Sequence, residues 1–158
     1  MDALTRWSHL VAVAVYLAST AVLALVLLPI AAAKKDPAAQ RRFLAPWLRA
    51  YNVASVGALG VLVVSGGSAV TDFKAALGRD FTRFMWPLAW KLVLSFLLIN
   101  LATYLSFGLA HRLVRAELGR LPVEPEKQAG MIRRIRGIAW VALALGAYTA
   151  WVGARLAG

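Results

Sequence analysis

Four long apolar runs separated by polar segments organise this chain of 158 residues, at about residues 9–31, 51–70, 87–110 and 137–154. A helix needs about 20 apolar residues to cross a bilayer. The first three runs reach that length, and Trp140 and Trp151 would anchor the shorter fourth run at the membrane interface. No run alternates strictly as a half-buried strand does. The pattern predicts an all-α integral membrane four-helix bundle, with residues 1–158 forming a single transmembrane domain.

Composition supports a membrane protein and excludes several other classes. Hydrophobic residues make up 61% of the chain, above ordinary soluble usage. Cysteine is absent, which excludes disulfides and thiolate metal sites. We find no phosphate-binding glycine loop, nucleophile elbow or histidine-rich zinc pattern. The net charge of +11 is unaccompanied by any nucleic-acid-binding motif, so no nucleic-acid partner is expected.

The placement of the basic residues predicts an orientation. Of the 18 lysines and arginines, twelve flank the first and third connections and six lie elsewhere. Cytoplasmic connections carry such an excess, so both termini and the second connection are expected on the outer, periplasmic side of the cell inner membrane. The basic segments would contact anionic lipid of the bilayer. The twelve are Lys34, Lys35, Arg41, Arg42, Arg49, Arg112, Arg115, Arg120, Lys127, Arg133, Arg134 and Arg136.

Local signals predict where the helices begin and end. Asp36 followed by Pro37 is a good N-cap for a short cytoplasmic surface helix, which Pro46 would bend into the second span. Gly66-Gly67 would end that span, and "TDFKAALG" (residues 71–78) would form amphipathic turns on the outer surface. "LPVEPEK" (residues 121–127) is typical of a solvated turn.

The small residues of the fourth run allow close helix packing. Ala142, Gly146 and Ala150 recur at four-residue spacing, which permits close approach of membrane helices. The stripe would pack within the bundle, or alternatively against a partner chain.

Two polar residues interrupt the third run. Lys91 lies near its outer end, with Ser95 one turn further in on the same face, and Asn100 lies near its middle. We expect Asn100 to bond a neighbouring helix. Lys91 would either snorkel to the interface or face inward, and we favour the inward orientation. An inward ammonium would need Asp72 or a bound anion, since the other acidic residues on that side are Asp2 and Asp80.

Two histidines occur in the chain, His9 at the outer end of the first helix and His111 at the inner end of the third. Their depths differ by about 30 Å, so they cannot hold one metal ion or one haem together. His9 shares the outer half with Lys91 and Met85, among several tryptophans. His9 and Met85 would suit Cu(I) or the axial positions of haem iron. We therefore predict cofactor-binding residues His9 and Lys91, metal ligands His9 and Met85, and copper or haem b as possible cofactors.

A family resemblance extends over about residues 9–113. The segments "LVLLPIAAAKKDPAAQRRFLAPWLRAYNVASVGALGVLVVSG" and "WPLAWKLVLSFLLINLATYLSFGLAHRL", with the histidine before them, resemble the CopD family of four-helix membrane proteins and, more remotely, the HemJ-type protoporphyrinogen oxidases. The matching features are a first-helix histidine and terminal proline, an arginine-rich turn, a Ser-Gly pair and a third-helix lysine. They fall on His9, Pro29, Arg41, Arg42, Ser65, Gly66 and Lys91.

The resemblance implies copper handling or transport for a CopD-like chain. A HemJ-like oxidoreductase would use His9 as an axial haem ligand and Lys91 to attract a carboxylate. The chain departs from the pattern, because "VYLAST" replaces the first-helix Trp-x-Gly-Gly and Asn100 stands where a second histidine is expected. A third hypothesis is therefore a non-catalytic accessory subunit that contacts other subunits of a larger respiratory or photosynthetic membrane complex.

Overall fold

The computed structural model describes residues 3–78 and 81–157, which form helices and connections without any strand. Four helices are long and apolar enough to cross a membrane, which confirms the all-α class and the four predicted spans. Helix α1 is Ala3–Ala32 and α2 is Pro37–Leu77. Helix α3 covers residues 81–117 and α4 is Pro125–Ala157. One wider π-helical segment interrupts α1 at Leu23–Leu27, and another interrupts α3 at Tyr104–Ala110.

Helix α2 is longer than its predicted span. The Asp36 carboxylate caps it, accepting from the backbone N–H groups of Ala38 and Ala39, as predicted. The predicted separate surface helix and the predicted end at Gly66-Gly67 are both wrong, because one helix of 41 residues runs from Pro37 to Leu77. Pro46, which is predicted to bend the chain, lies inside this helix. Such a helix is about 60 Å long, so it projects beyond a bilayer core of about 30 Å. A membrane helix tolerates interior proline and glycine when neighbouring groups satisfy the backbone.

The predicted amphipathic turns at residues 71–78 belong instead to the last part of α2, so they form no separate surface element. The helix ends at Gly78, whose φ of 51° is favourable only for glycine among the common residues. The predicted turn within residues 121–127 is confirmed up to Pro125, where α4 begins.

Successive helices pack antiparallel, so the molecule has two distinct ends. At the basic end, α1 connects to α2 and α3 connects to α4. Arg41 of α2 links these connections, bonding Glu117 of α3 at 2.9 Å and Gln128 of α4 at 3.0 Å. The Gln128 amide also donates to the Pro37 carbonyl at 2.6 Å. The opposite, terminal end carries the beginning of α1 and the end of α4.

The core consists of two clusters stacked along the bundle. The larger lies toward the basic end and is rich in leucine, with Leu28, Leu48 and Leu105 wholly buried among its members. The smaller lies toward the terminal end and contains mainly alanine around Tyr16. The difference in side-chain volume allows the helices to approach closely where the second cluster lies.

The small-residue stripe of α4 packs inside the bundle, as the first of its two predicted roles requires. Ala142 is completely buried. A Cβ at Gly146 would lie 3.0 Å from Leu17 Cδ2 and 3.4 Å from Tyr16 Cε1, both on α1. A side chain at Gly146 would require Leu17 to shift by a few tenths of an ångström, so glycine suits this close contact between α4 and α1.

Candidate functional site

His9 is fixed by a hydrogen bond to the neighbouring helix. Its Nδ1 lies 2.8 Å from Ser65 Oγ on α2. The Ser65 hydroxyl donates to the Val61 carbonyl at 2.6 Å, and its single proton is used there. With that proton used, Ser65 is placed to accept from Nδ1–H, and in the neutral imidazole Nε2 then keeps a free lone pair. Metal-binding histidines are commonly held in this way by a partner on the other ring nitrogen.

Lys91 faces the inside of the bundle rather than the lipid. Its ammonium lies against α4, since a Cβ on Gly153 would be 3.0 Å from Nζ and 3.3 Å from Cε. The predicted alternative partner Asp72 forms no ion pair with it, and Asp2 and Asp80 lie outside the described residues. Within the described part of the chain, no carboxylate pairs with Lys91. The ammonium is thus enclosed on one side and available for an anion.

The two predicted site residues are neighbours. The Lys91 ammonium lies near enough to the His9 imidazole for the two groups to interact electrostatically. The His9 ring also packs over Gly66, at 4.0 Å from the position of an added Cβ. Near the terminal end, residues from all four helices therefore form two contacting groups close to each other, His9 with Ser65 and Gly66, and Lys91 with Gly153. We call this group the His9–Lys91 site: His9 of α1, Ser65 and Gly66 of α2, Lys91 of α3 and Gly153 of α4.

Ser95 does not extend this site as a donor. Its hydroxyl donates to the Lys91 carbonyl at 2.9 Å, within the same helix. The Ser95 hydroxyl proton is therefore used within α3, although the oxygen keeps a lone pair.

Met85, the predicted second metal ligand, lies at the surface. Its side chain is 54% exposed. It precedes Lys91 by six residues, so the two side chains leave the helix about 120° apart. Trp7, Trp86 and Trp90 are also largely exposed at this end. Exposed tryptophans at one depth are typical of an aromatic belt at a membrane interface.

A groove adjoins the site between α1 and α2. It has a volume of about 410 Å³ and is lined by small and hydroxyl side chains, including Ser8, Gly60, Ser65 and Ser68. Ser65 therefore contacts both the groove and His9. The groove gives this side of the bundle an opening next to the histidine.

A buried group of hydroxyls near the middle of the bundle is a feature that the sequence analysis missed. Tyr16 of α1 and Tyr51 of α2 are almost wholly buried. Both phenol oxygens lie near Thr20, but neither makes a hydrogen bond of acceptable geometry to a described residue. The signal in the sequence was weak, because single hydroxyls on separate helices become a cluster only through the pairing of those helices.

Asn100 and His111 occupy positions away from the site. The predicted bond from Asn100 to a neighbouring helix is wrong: its amide donates to Phe96 of its own helix at 2.8 Å, and its side chain is exposed. His111 lies exposed at the basic end, far along α3 from Lys91. The two histidines are therefore at opposite ends of the bundle.

No protein-family model, curated protein or solved structure matches this chain. Among the described residues, no three histidine, cysteine, aspartate or glutamate side chains form a group that would hold a metal ion.

Proposed function

We propose that this chain is a multi-pass inner-membrane protein that binds a carboxylate-bearing ligand at the His9–Lys91 site, with haem b as the first ligand to test. The observation that carries the proposal is the inward Lys91 ammonium, which has no carboxylate partner among the described residues. A charge within a membrane span is costly unless it is paired or hydrated. A bound anion would supply the missing partner.

The distribution of basic residues supports an orientation in which the basic end faces the cytoplasm. The twelve basic residues near the first and third connections all lie toward the basic end, which would be cytoplasmic. The terminal end, with the His9–Lys91 site, would then face the periplasm. A ligand would reach the site from the outer leaflet or the periplasmic solvent.

Haem b fits the functional groups of the site. The free Nε2 of His9 is suited to ligate iron, because Ser65 holds the opposite ring nitrogen. Lys91 would pair with a propionate. Bound haem would supply one-electron redox chemistry, while this chain would orient it through His9 and neutralise its carboxylate through Lys91.

The copper-handling function implied by the CopD resemblance receives less support from the geometry. Met85 is exposed, and the Lys91 ammonium would repel a cation bound at His9. Copper with His9 and Met85 as ligands stays a prediction to be tested beside haem.

The experiment compares site variants with matched controls. The full-length protein is purified in detergent, its absorbance is recorded with and without added haem, and its copper is measured by elemental analysis. We expect a Soret band that His9→Ala abolishes and Lys91→Met weakens. The controls are His111→Ala, which removes the other histidine, and Lys74→Met, which removes an exposed lysine on α2.

Three results would count against haem binding at this site. The first is no Soret shift when haem is added. The second is an equal loss of the Soret band in His9→Ala and His111→Ala. The third is copper that is bound in the absence of haem and is lost when His9 and Met85 are replaced. The last result would favour the copper hypothesis. Absence of both cofactors, with stable co-purifying subunits, would favour an accessory subunit.

The accessory-subunit function is a second proposal, favoured by the exposed face of α3. Asn100, Tyr104 and Phe107 all point away from the bundle, and Asn100 lies at the middle of the span. An amide at that depth is stabilised by a hydrogen bond to another helix. This face now replaces the α4 stripe as the surface for a partner, because the stripe is covered by α1.

The test of this second proposal is a comparison of two substitutions on α3. Asn100→Leu should release co-purifying membrane subunits, whereas Phe96→Leu, an exposed change one turn away that keeps the Asn100 amide, should retain them. Identical subunit content in both variants and the parent would count against a role for this face.

A further inference from the structure

A second polar cavity lies at the basic end, between α2 and α3. It has a volume of about 370 Å³. Its polar lining comprises Arg49 and Asn52 of α2, His111 and Arg115 of α3, and Arg120 after that helix. We call it the arginine cavity. It lies at the other end of the bundle from His9 and Lys91, so it is independent of the proposed ligand site.

The end of α3 brings two of the three arginines together. The Arg120 amide donates to the Arg115 carbonyl at 2.9 Å, and the Gly119 amide donates to the Ala116 carbonyl at 3.2 Å. These bonds form a Schellman motif, which requires the left-handed φ of 68° at Gly119. The chain thus turns back over the helix end, and Arg120 joins Arg115 in the wall of the cavity.

The arginines that line this cavity are exposed, and no described carboxylate neutralises their charges. Within the described ranges, none of Arg49, Arg115 and Arg120 has a carboxylate partner. Arg41, at the same end, differs because it pairs with Glu117. Three guanidinium groups around one space repel each other, and an anion between them would remove that repulsion.

We propose that the arginine cavity binds a phosphate group, the anion shared by phospholipid headgroups and soluble phosphates. Planar guanidinium groups bind phosphate oxygens through paired hydrogen bonds, which makes arginine well suited to this anion. The cavity volume is within the range of small-ligand sites. Trp47, exposed two residues before Arg49, is of the residue type that anchors helices at the membrane interface.

The test measures thermal unfolding of the full-length protein with two phosphate sources. One arm compares nanodiscs of phosphatidylcholine, in which the choline cation neutralises the headgroup phosphate, with nanodiscs containing phosphatidylglycerol, in which the phosphate charge is not neutralised. The other adds inorganic phosphate in detergent, against sodium chloride of equal ionic strength. Stabilisation by phosphatidylglycerol alone would identify a lipid headgroup as the source, and stabilisation by inorganic phosphate would identify a soluble anion. Either result supports the site, provided that the stabilisation is lost in the arginine variants.

The variants are Arg49→Gln and Arg115→Gln, which keep a polar side chain. Arg112→Gln is the control, because Arg112 is exposed on the same helix outside the cavity. We expect each cavity variant to weaken binding about tenfold or more, and the control to bind as the parent does. Without added phosphate, the cavity variants should unfold at or above the parent temperature, which shows that they fold.

Two results would overturn the proposal. The first is no stabilisation by either phosphate source. The second is an equal loss of phosphate stabilisation in Arg112→Gln and Arg115→Gln. That result would indicate general attraction of anions to the basic end rather than a site.

Discussion

The basic half and the terminal half of this bundle use polar residues in opposite ways. At the basic end, Gln128 is buried and bonded at both its amide atoms, and Arg41 has two partners. At the terminal end, Lys91 has no carboxylate partner among the described residues, and His9 has one nitrogen without a hydrogen bond. Polar groups with satisfied partners stabilise a fold, whereas those left available bind ligands.

The basic half is also packed more tightly than the terminal half. The basic half contains a leucine-rich cluster, while the terminal cluster is small and mainly alanine. Beyond Ala12 of α1 and Ser65 of α2 toward the terminal end, no described residue is fully buried. The helices therefore enclose less of their surface where the candidate site lies. The tightly packed basic half is therefore expected to supply most of the stability, whereas the His9–Lys91 residues lie where packing is looser.

The largest expected effect comes from shortening a leucine in each half. Leu105 is completely buried in the basic half, and Leu105→Ala should cost about 2–5 kcal/mol through lost contacts and a cavity. Leu59, 8% exposed, belongs to the smaller terminal cluster and has fewer large side chains around it, so Leu59→Ala should cost roughly half as much. Thermal unfolding of both variants in one detergent measures the two costs. Equal losses of stability would contradict the proposed difference in packing between the halves.

The next effect concerns polar side chains replaced by apolar ones of similar size. Gln128→Leu removes two hydrogen bonds and leaves Arg41 and the Pro37 carbonyl with fewer partners, at a cost of about 1–3 kcal/mol. Lys91→Met should leave stability unchanged or raise it, because no described carboxylate loses a partner. A large loss of stability in ligand-free Lys91→Met would show that this lysine is structural.

The smallest effect on stability, with a clear effect on binding, is expected for Gly153→Ala. The added Cβ would meet only the flexible end of Lys91, which can move aside, so the cost should stay within about 0.5 kcal/mol. The displaced ammonium would weaken the proposed ligand contact. Ligand titration with Gly137→Ala as control sharpens the comparison, since no atom lies within 4 Å of a Cβ there. Equal affinities in the two variants would contradict the role of Lys91.

Sequence patterns were sufficient for the number of helices but insufficient for their lengths. Apolar runs of membrane length identify spans, because bilayer thickness fixes the requirement locally. The glycine signal for a helix end failed in α2, since a helix in apolar surroundings retains its hydrogen bonds more strongly than one in water. Pro46 and Gly66 therefore interrupt the sequence pattern without ending the helix.

What the sequence determined by itself was the class of the protein, its four spans, the charge asymmetry of its ends and the residue types available for a site. The tertiary structure decided which of those residues meet. A one-residue shift turns a helical side chain by about 100°, so polarity and depth do not specify which face is inward. Helix packing turned Lys91 toward Gly153 and His9 toward Ser65, exposed Asn100 and Met85, and brought Arg49 beside Arg115. These contacts join residues far apart in the chain, and they exist only because four helices share one set of packed surfaces.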